Sequence, residues 1–227
     1  MKDTTTESKE WYKEKLAHRV IESLEKNNIT GFYAATVEEA REKLISLIPA
    51  CSKVGHGGSL TLEQMGVTGP GTYHPQWKEA LSTGNYNLID RRRPGISEEE
   101  QYELRKESLF ADVFLMSTNA LTMDGKLVNI DGIGNRVAAL IFGPPKVIIV
   151  AGINKIVPDV HAAIHRIKNY TTPVHSKRAG YPAPCSKVGY CIDCHVPVRL
   201  CGSVAIIEFQ PRKDRITVII VGEELGL

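Results

Sequence analysis

The stretch "ADVFLMSTNALTMDGKLVNIDGIGNRVAALIFGPPKVIIVAG", residues 111–152, decides the fold, because two continuous apolar runs flank a hairpin signal and a short helical segment. Runs such as "DVFLMS" and "KVIIVAG", with no polar alternation, are the pattern of strands buried on both faces, as in parallel sheets covered by helices. Between them, Asp124-Gly125 predicts a hairpin with a type I′ turn, and the residues from about Val137 to Phe142 predict a helix. Upstream, Trp11, Leu16, Val20, Ile21 and Leu24 fall at helical spacing, so an amphipathic helix is expected over about Ser8 to Lys26, ending at "NNITG". "GFYAA" reads as a short strand. Thr36 with Glu39, and Ser97 with Glu100, are capping signals for two further helices, and "SKVG" is a buried strand between them. Downstream come the helix "VPDVHAAIHRIKN" and two strands, "SVAIIEF" and "RITVIIVG", expected to pair as a hairpin through "QPRKD". The whole is an α/β pattern, a sheet covered by helices, in a single domain over residues 1–227.

Composition narrows the class of protein. A chain of 227 residues buries a core without needing disulfides, and a net charge of +2 gives no reason to invoke nucleic acid. The opening "MKDTTTESKEWYKEK" carries charges where a signal peptide needs an apolar core, and no segment approaches the length of a membrane span. A cytoplasmic protein with reduced thiols is expected.

Three places hold residues that the fold alone does not demand. In "VGHGGSLT", Gly57 and Gly58 allow close backbone approach, and Ser59 and Thr61 put hydroxyls at a helix start. Such a turn binds an anion through backbone N–H groups, or is a bare strand-to-helix turn. His56 is expected to be an exposed loop histidine. The second place is Ser117 to Leu140, where Asn119, Asp131, Asn135 and Arg136 gather beside a strand end, the usual ligand position in open α/β sheets. Arg136 at a helix start opposes the macrodipole unless an anion or carboxylate faces it, and Asp131 is its nearest partner. No catalytic residue is identified outright; Asp131 is the best carboxylate for a general base, with turn chemistry as the competing role.

The third place is "PCSKVGYCIDCHVPVRLC", residues 184–201. Five residues separate Cys185 from Cys191, two separate Cys191 from Cys194, and six separate Cys194 from Cys201. A two-residue gap lets both sulfurs face one metal, and the outer pair can complete a four-thiolate shell. Spacing does not separate iron–sulfur from zinc, and reduced structural thiols, two disulfides or a redox pair at Cys191 and Cys194 compete. Cys51 reads as a small core residue. His161 and His165, four apart on a helix, have no evident third ligand and read as a packed helix edge.

"VGHGGSLT", "YNLIDRRRPGIS", the long run from Ala111 through "AGINKIV", the cysteine segment and "ITVIIVGEELGL" together resemble the LUD-domain family, the lactate-utilisation proteins of the LutC/YkgG type. The resemblance implies a fold like that of ribose-5-phosphate isomerase, glucosamine-phosphate deaminase and CoA transferases, with ligands held over glycine-rich turns. His56 departs from the aromatic or aliphatic residue common in the family. "GVTGPGTYHPQWKEALSTG" does not align closely and is a candidate specificity region.

The resemblance implies a component of an iron–sulfur-dependent system oxidising L-lactate to pyruvate with partner subunits, an oxidoreductase subunit. Family context favours a [4Fe–4S] cluster over zinc on Cys185, Cys191, Cys194 and Cys201. No NAD or flavin fingerprint is present. The other class in view is a stand-alone enzyme or sensor that binds a small carboxylate or phosphate ligand.

Overall fold

The computed structural model describes residues 4–69 and 73–227. Pro70, Gly71 and Thr72, in the candidate specificity region, lie outside the described residues. The apolar runs form the middle of a six-stranded sheet ordered β1 (Thr30–Ala34), β10 (Ile216–Val221), β7 (Lys146–Gly152), β4 (Val113–Met116), β2 (Lys53–His56) and β3 (Asn87–Leu88). Every pairing in it is parallel.

Successive residues of the central strands feed two separate cores, which is why these strands show no alternation. On β7, Ile148 and Val150 face one core while Val147 and Ile149 face the other. The first core is closed by α2 (Val37–Ser46), α3 (Leu60–Gln64) and α4 (Pro75–Thr83), through Leu44, Leu62 and the fully buried Trp77. The second is closed by α1 (Thr4–Lys26) with Val20 and Leu24, and by α6 (Asn135–Ile141) with Leu140. Arg215 caps the end of α6 by donating to the carbonyls of Leu140 (2.7 Å) and Ala139 (3.0 Å). The capping signals hold: Glu39 N–H donates to Thr36 Oγ1 at 3.2 Å, and Glu100 N–H to Ser97 Oγ at 3.1 Å at the start of α5 (Glu98–Glu107).

A smaller four-stranded sheet, ordered β8 (Ile156–Val157), β5 (Ala120–Thr122), β6 (Leu127–Asp131) and β9 (Ser203–Ile207), stands beside the first. Its core of Ala120, Val128 and Ile130 packs on Ala163 of α7 (Val160–Arg166), which runs through a π-helical turn into α8 (Thr172–Arg178). The cysteine segment begins with α9 (Cys185–Val188) and leads into β9.

Two local expectations are corrected. "SVAIIEF" and "RITVIIVG" do not form a hairpin: β9 pairs antiparallel with β6, and β10 lies between β1 and β7. The reason is burial, since β10 is buried at all six positions while β9 is largely exposed, so the two cannot share a half-solvated ribbon. The β5–β6 hairpin exists, but Thr122 N–H donates to Lys126 O at 3.0 Å, leaving a three-residue loop rather than a type I′ turn. Only Gly125 in that loop is left-handed, at φ 79°. A side chain there would also strike the backbone at Ser23, where α1 ends.

Candidate functional site

Parallel strands end on one edge of a sheet, so the segments that follow β3, β2, β4 and β7 converge. They deliver Arg91 and Arg92, then Gly58 to Thr61, then Ser117 to Asn119, then Lys155, to one cavity of about 430 Å³. The end of β6 adds Asp131, and α8 adds His175 and Arg178. Of the residues singled out from sequence, Gly58, Ser59, Thr61, Asn119, Asp131, Asn135 and Arg136 all line this cavity. Gly57 does not line it; a Cβ there would meet the Arg136 stem at 3.2 Å, so Gly57 gives that side chain its bed.

Each of these residues has a definable local job. Ser59 caps α3, its Oγ accepting from Leu62 N–H at 3.2 Å. The N-cap of α6 is Gly134, at φ 95°, and Asn135 is the first helical residue rather than the cap. Asp131 accepts from Gly134 N–H (2.8 Å) and from Arg136 Nε (3.1 Å), so both carboxylate oxygens are engaged.

Arg136 is a hub. Besides Asp131, its guanidinium donates to Asn129 Oδ1 (2.6 Å), Asn119 Oδ1 (2.9 Å), Ile130 O (2.9 Å) and Ser117 O (3.2 Å). Five contacts match the five N–H groups of an arginine. Arg136 is therefore faced by the carboxylate of Asp131, the nearest partner in the sequence, and its remaining donors are also taken: it ties the end of β4 to β6 and contributes its field to the cavity. Burial pulls it below its ordinary pKa, against the opposing pull of Asp131.

The residues that sequence reading missed are the cations other than Arg136. Arg91, Arg92, Arg105, Arg136, Arg178 and Lys155 line the cavity, and among the described residues the one carboxylate side chain lining it is Asp131, which Arg136 already neutralises. Arg92 and Arg178 share Glu63. Arg91 is 8% exposed, its Nε is buried without an acceptor, and among the described residues it makes no hydrogen bond or ion pair. Burial, with Arg92 and Arg105 nearby, lowers its pKa to about 10. A Cβ on Gly58 would stand 3.1 Å from the Arg91 guanidinium and 3.3 Å from that of Arg92, so both lie over the backbone of the glycine turn.

Lys155 lies deeper, 4% exposed. Its Nζ donates to Thr61 Oγ1 and Ser117 Oγ, each at 2.8 Å, and to Thr118 O at 3.3 Å. Burial first, then the charges of Arg166 and Arg136, bring its pKa down to about 7. Its signal in the sequence is a lysine inside "AGINKIV", directly after the most apolar run. Arg91 and Arg92 are signalled by "RRR", separated from β3 by two residues.

His56 is buried rather than exposed, at the end of β2, with Nδ1 3.1 Å from Gly57 O. Burial above all lowers its pKa to about 4, so it is a neutral buried residue. Cys51 is exposed with φ 62° and is not a core residue. His161 and His165 are exposed on α7 rather than packed at an edge.

The cysteine segment forms one flank of the cavity. Leu200 and Thr172 line the cavity, and Cys201 Sγ lies 3.6 Å from Thr172 Oγ1. All four thiols are free, and Cys185 has its pKa raised by burial and then by Cys201, Cys194 and Cys191, so the four lie within electrostatic reach of one another. Arg199 staples the loop, donating to Cys194 O (2.7 Å), Cys201 O (2.8 Å) and Asp193 Oδ1 (3.0 Å). Asp193 N–H points to Cys191 Sγ at 3.4 Å, the kind of backbone contact that steadies a thiolate ligand. Among the described residues no three Cys, His, Asp or Glu side chains stand in metal-binding geometry. The donor set, four thiols on one stapled loop, suits a thiolate-held centre by its chemistry.

Comparison with known proteins gives three findings. A model of the LUD domain matches residues 17–221. A crystal structure of a DUF162 family protein from Deinococcus radiodurans is similar at 17% identity, over 92% of this chain and 98% of that one, with a TM-score of 0.46. No curated protein matches.

Proposed function

The chain belongs to the LUD-domain family of lactate-utilisation-type proteins, and on that premise we propose that its cavity binds a small carboxylate or phosphate metabolite. The observation that carries this reading is Arg91: a buried guanidinium with no protein partner among the described residues, aimed over a glycine turn. An unpaired buried charge costs several kcal/mol unless something neutralises it, and an anion is the group that does. Arg91 and Arg92 grip the anionic end, as planar forks suited to carboxylate or phosphate. Asn119 and Asp131, aligned by Arg136, form the far wall, and Lys155 holds a mobile proton between the hydroxyls of Thr61 and Ser117.

Within that reading the chain is a component of an iron–sulfur-dependent system that oxidises L-lactate to pyruvate. Cys185, Cys191, Cys194 and Cys201 would hold a [4Fe–4S] cluster, with zinc as the alternative. Such a cluster supplies one-electron transfer, and the contact of Cys201 with cavity-lining Thr172 supports a centre beside the ligand. Arg199 and Asp193 keep the loop in shape whichever metal is bound.

A second reading, a stand-alone enzyme or sensor for a phosphorylated molecule, is favoured by one feature. A cavity of about 430 Å³ with six cations is larger and more charged than a three-carbon monoacid requires. Titration calorimetry with L-lactate, pyruvate and glucose 6-phosphate separates the two. Preference for the three-carbon acids, with iron and sulfide found in anaerobically purified protein, supports the first; preference for the sugar phosphate with no metal supports the second. Failure of all three to bind removes the anion site.

A further inference from the structure

We propose that the side-chain amine of Lys155 is a covalent site, condensing with the carbonyl of an anionic 2-oxo acid or phosphorylated ketone held in the cavity. The proposal rests on the reading of the cavity as an anion site and adds what happens to the other end of the ligand.

The geometry is that of a reactive amine rather than of an ion-pair partner. Lys155 lines the cavity, is 4% exposed, and has only two hydroxyls and a carbonyl as partners. No described carboxylate pairs with it: Asp131 is held by Arg136 and Gly134, and the charged groups acting on it, Arg166 of α7 and Arg136 of α6, are both cationic. Buried lysines without a counter-ion give up their proton, and this one does so at about pH 7. A permanently charged anchor is already supplied by the arginines, so a further cation would be redundant. What the arginines cannot supply is a lone pair. The segment after β10 packs on the site as well, since a Cβ on Gly226, at φ +68°, would meet Thr61 Oγ1 and stand 3.0 Å from Lys155 Nζ.

The step balances without an oxidant. The neutral Nζ lone pair attacks the carbonyl carbon and the C=O π pair moves to oxygen. One N–H proton passes to that oxygen through the Ser117 or Thr61 hydroxyl, giving a carbinolamine. Its hydroxyl leaves as water on taking a second proton, and a protonated imine remains. Amine, carbonyl and one proton from solvent become protonated imine and water, with the anionic end held at Arg91 throughout.

The test is borohydride trapping of the full-length protein with pyruvate in one arm and dihydroxyacetone phosphate in the other, read by intact mass and peptide mapping. The expected result is one adduct per chain, on the peptide containing Lys155, with half-maximal trapping near pH 7 rather than the 10.5 of an ordinary lysine. The arm that labels shows whether the ligand is an oxo acid or a phosphorylated ketone. Lys155→Arg, checked for folding by circular dichroism, should lose the adduct; Arg91→Met should lower trapping at least about tenfold. If neither carbonyl labels Lys155 while phosphate still binds, the covalent proposal is wrong and the anion site stands. If nothing labels and no phosphate binds, both are wrong.

Discussion

Replacing Arg136 by methionine should unfold this protein more easily, and the size of the effect follows from what the guanidinium holds. The substitution removes five donor contacts at once and strands Asp131, whose side chain is only 10% exposed against 11% for Arg136. Removing one partner of a buried ion pair costs about 3–5 kcal/mol, because the other charge is left uncompensated. For a chain of this length each kcal/mol moves the midpoint by roughly 2–4 °C, so a drop of roughly 6–20 °C is expected. Equilibrium unfolding in urea at pH 7, with thermal melting alongside, measures it. Adding Asp131→Leu to Arg136→Met should recover part of the loss, since the stranded carboxylate is then gone. A loss below about 1 kcal/mol, of the size expected for a surface substitution, would refute the hub role of Arg136.

Other consequences follow from individual neighbours. His56 has a folded-state pKa of about 4 against 6.5 in an unfolded chain, so the unfolded state takes up its proton first as pH falls. Its contribution, about 3 kcal/mol at full size, is therefore complete above pH 6.5 and lost between 6.5 and 4. His56→Gln should flatten the acid limb of urea stability in that window, and an unchanged limb would show that His56 takes up its proton at the same pH in the folded and the unfolded chain. Gly58→Ala places a methyl against the flexible ends of Arg91 and Arg92, so folding should be nearly untouched while phosphate affinity falls about tenfold by calorimetry. Serine at any one of Cys185, Cys191, Cys194 or Cys201 should abolish stoichiometric uptake of iron and sulfide, or of zinc, in anaerobic reconstitution, leaving the two cores intact; undiminished uptake by all four variants would remove the metal centre.

The central sheet was legible because its evidence is local: unbroken apolar runs mean burial on both faces, and "KVIIVAG" and "DVFLMS" lie side by side in it as β7 and β4. At "SVAIIEF" and "RITVIIVG", adjacency in sequence suggests a hairpin, but the all-buried run belongs in a parallel sheet and the half-exposed one at an edge. The polar residues of the cavity were legible as a set, since Asn119, Asp131 and Arg136 lie near a strand end. What each does was not, because the acceptors that consume Arg136 include carbonyls of Ser117 and Ile130, and backbone groups carry no signature in a sequence. Lys155 and Arg91 escaped for a different reason. A lone lysine or a run of arginines is usually a solvated surface, and only the convergence of β3 and β7 ends buries these two together.

The anion site is tested most directly by Arg91→Met, measured against the parent protein by titration with inorganic phosphate and with pyruvate. Arg91 has no protein partner among the described residues, so its removal should leave the unfolding midpoint unchanged or raise it, by relieving an unpaired buried charge. Affinity for the anion that the parent binds should fall at least about tenfold, or ~1.4 kcal/mol. A variant that binds as tightly as the parent, or that loses affinity only because it no longer folds, would contradict the account.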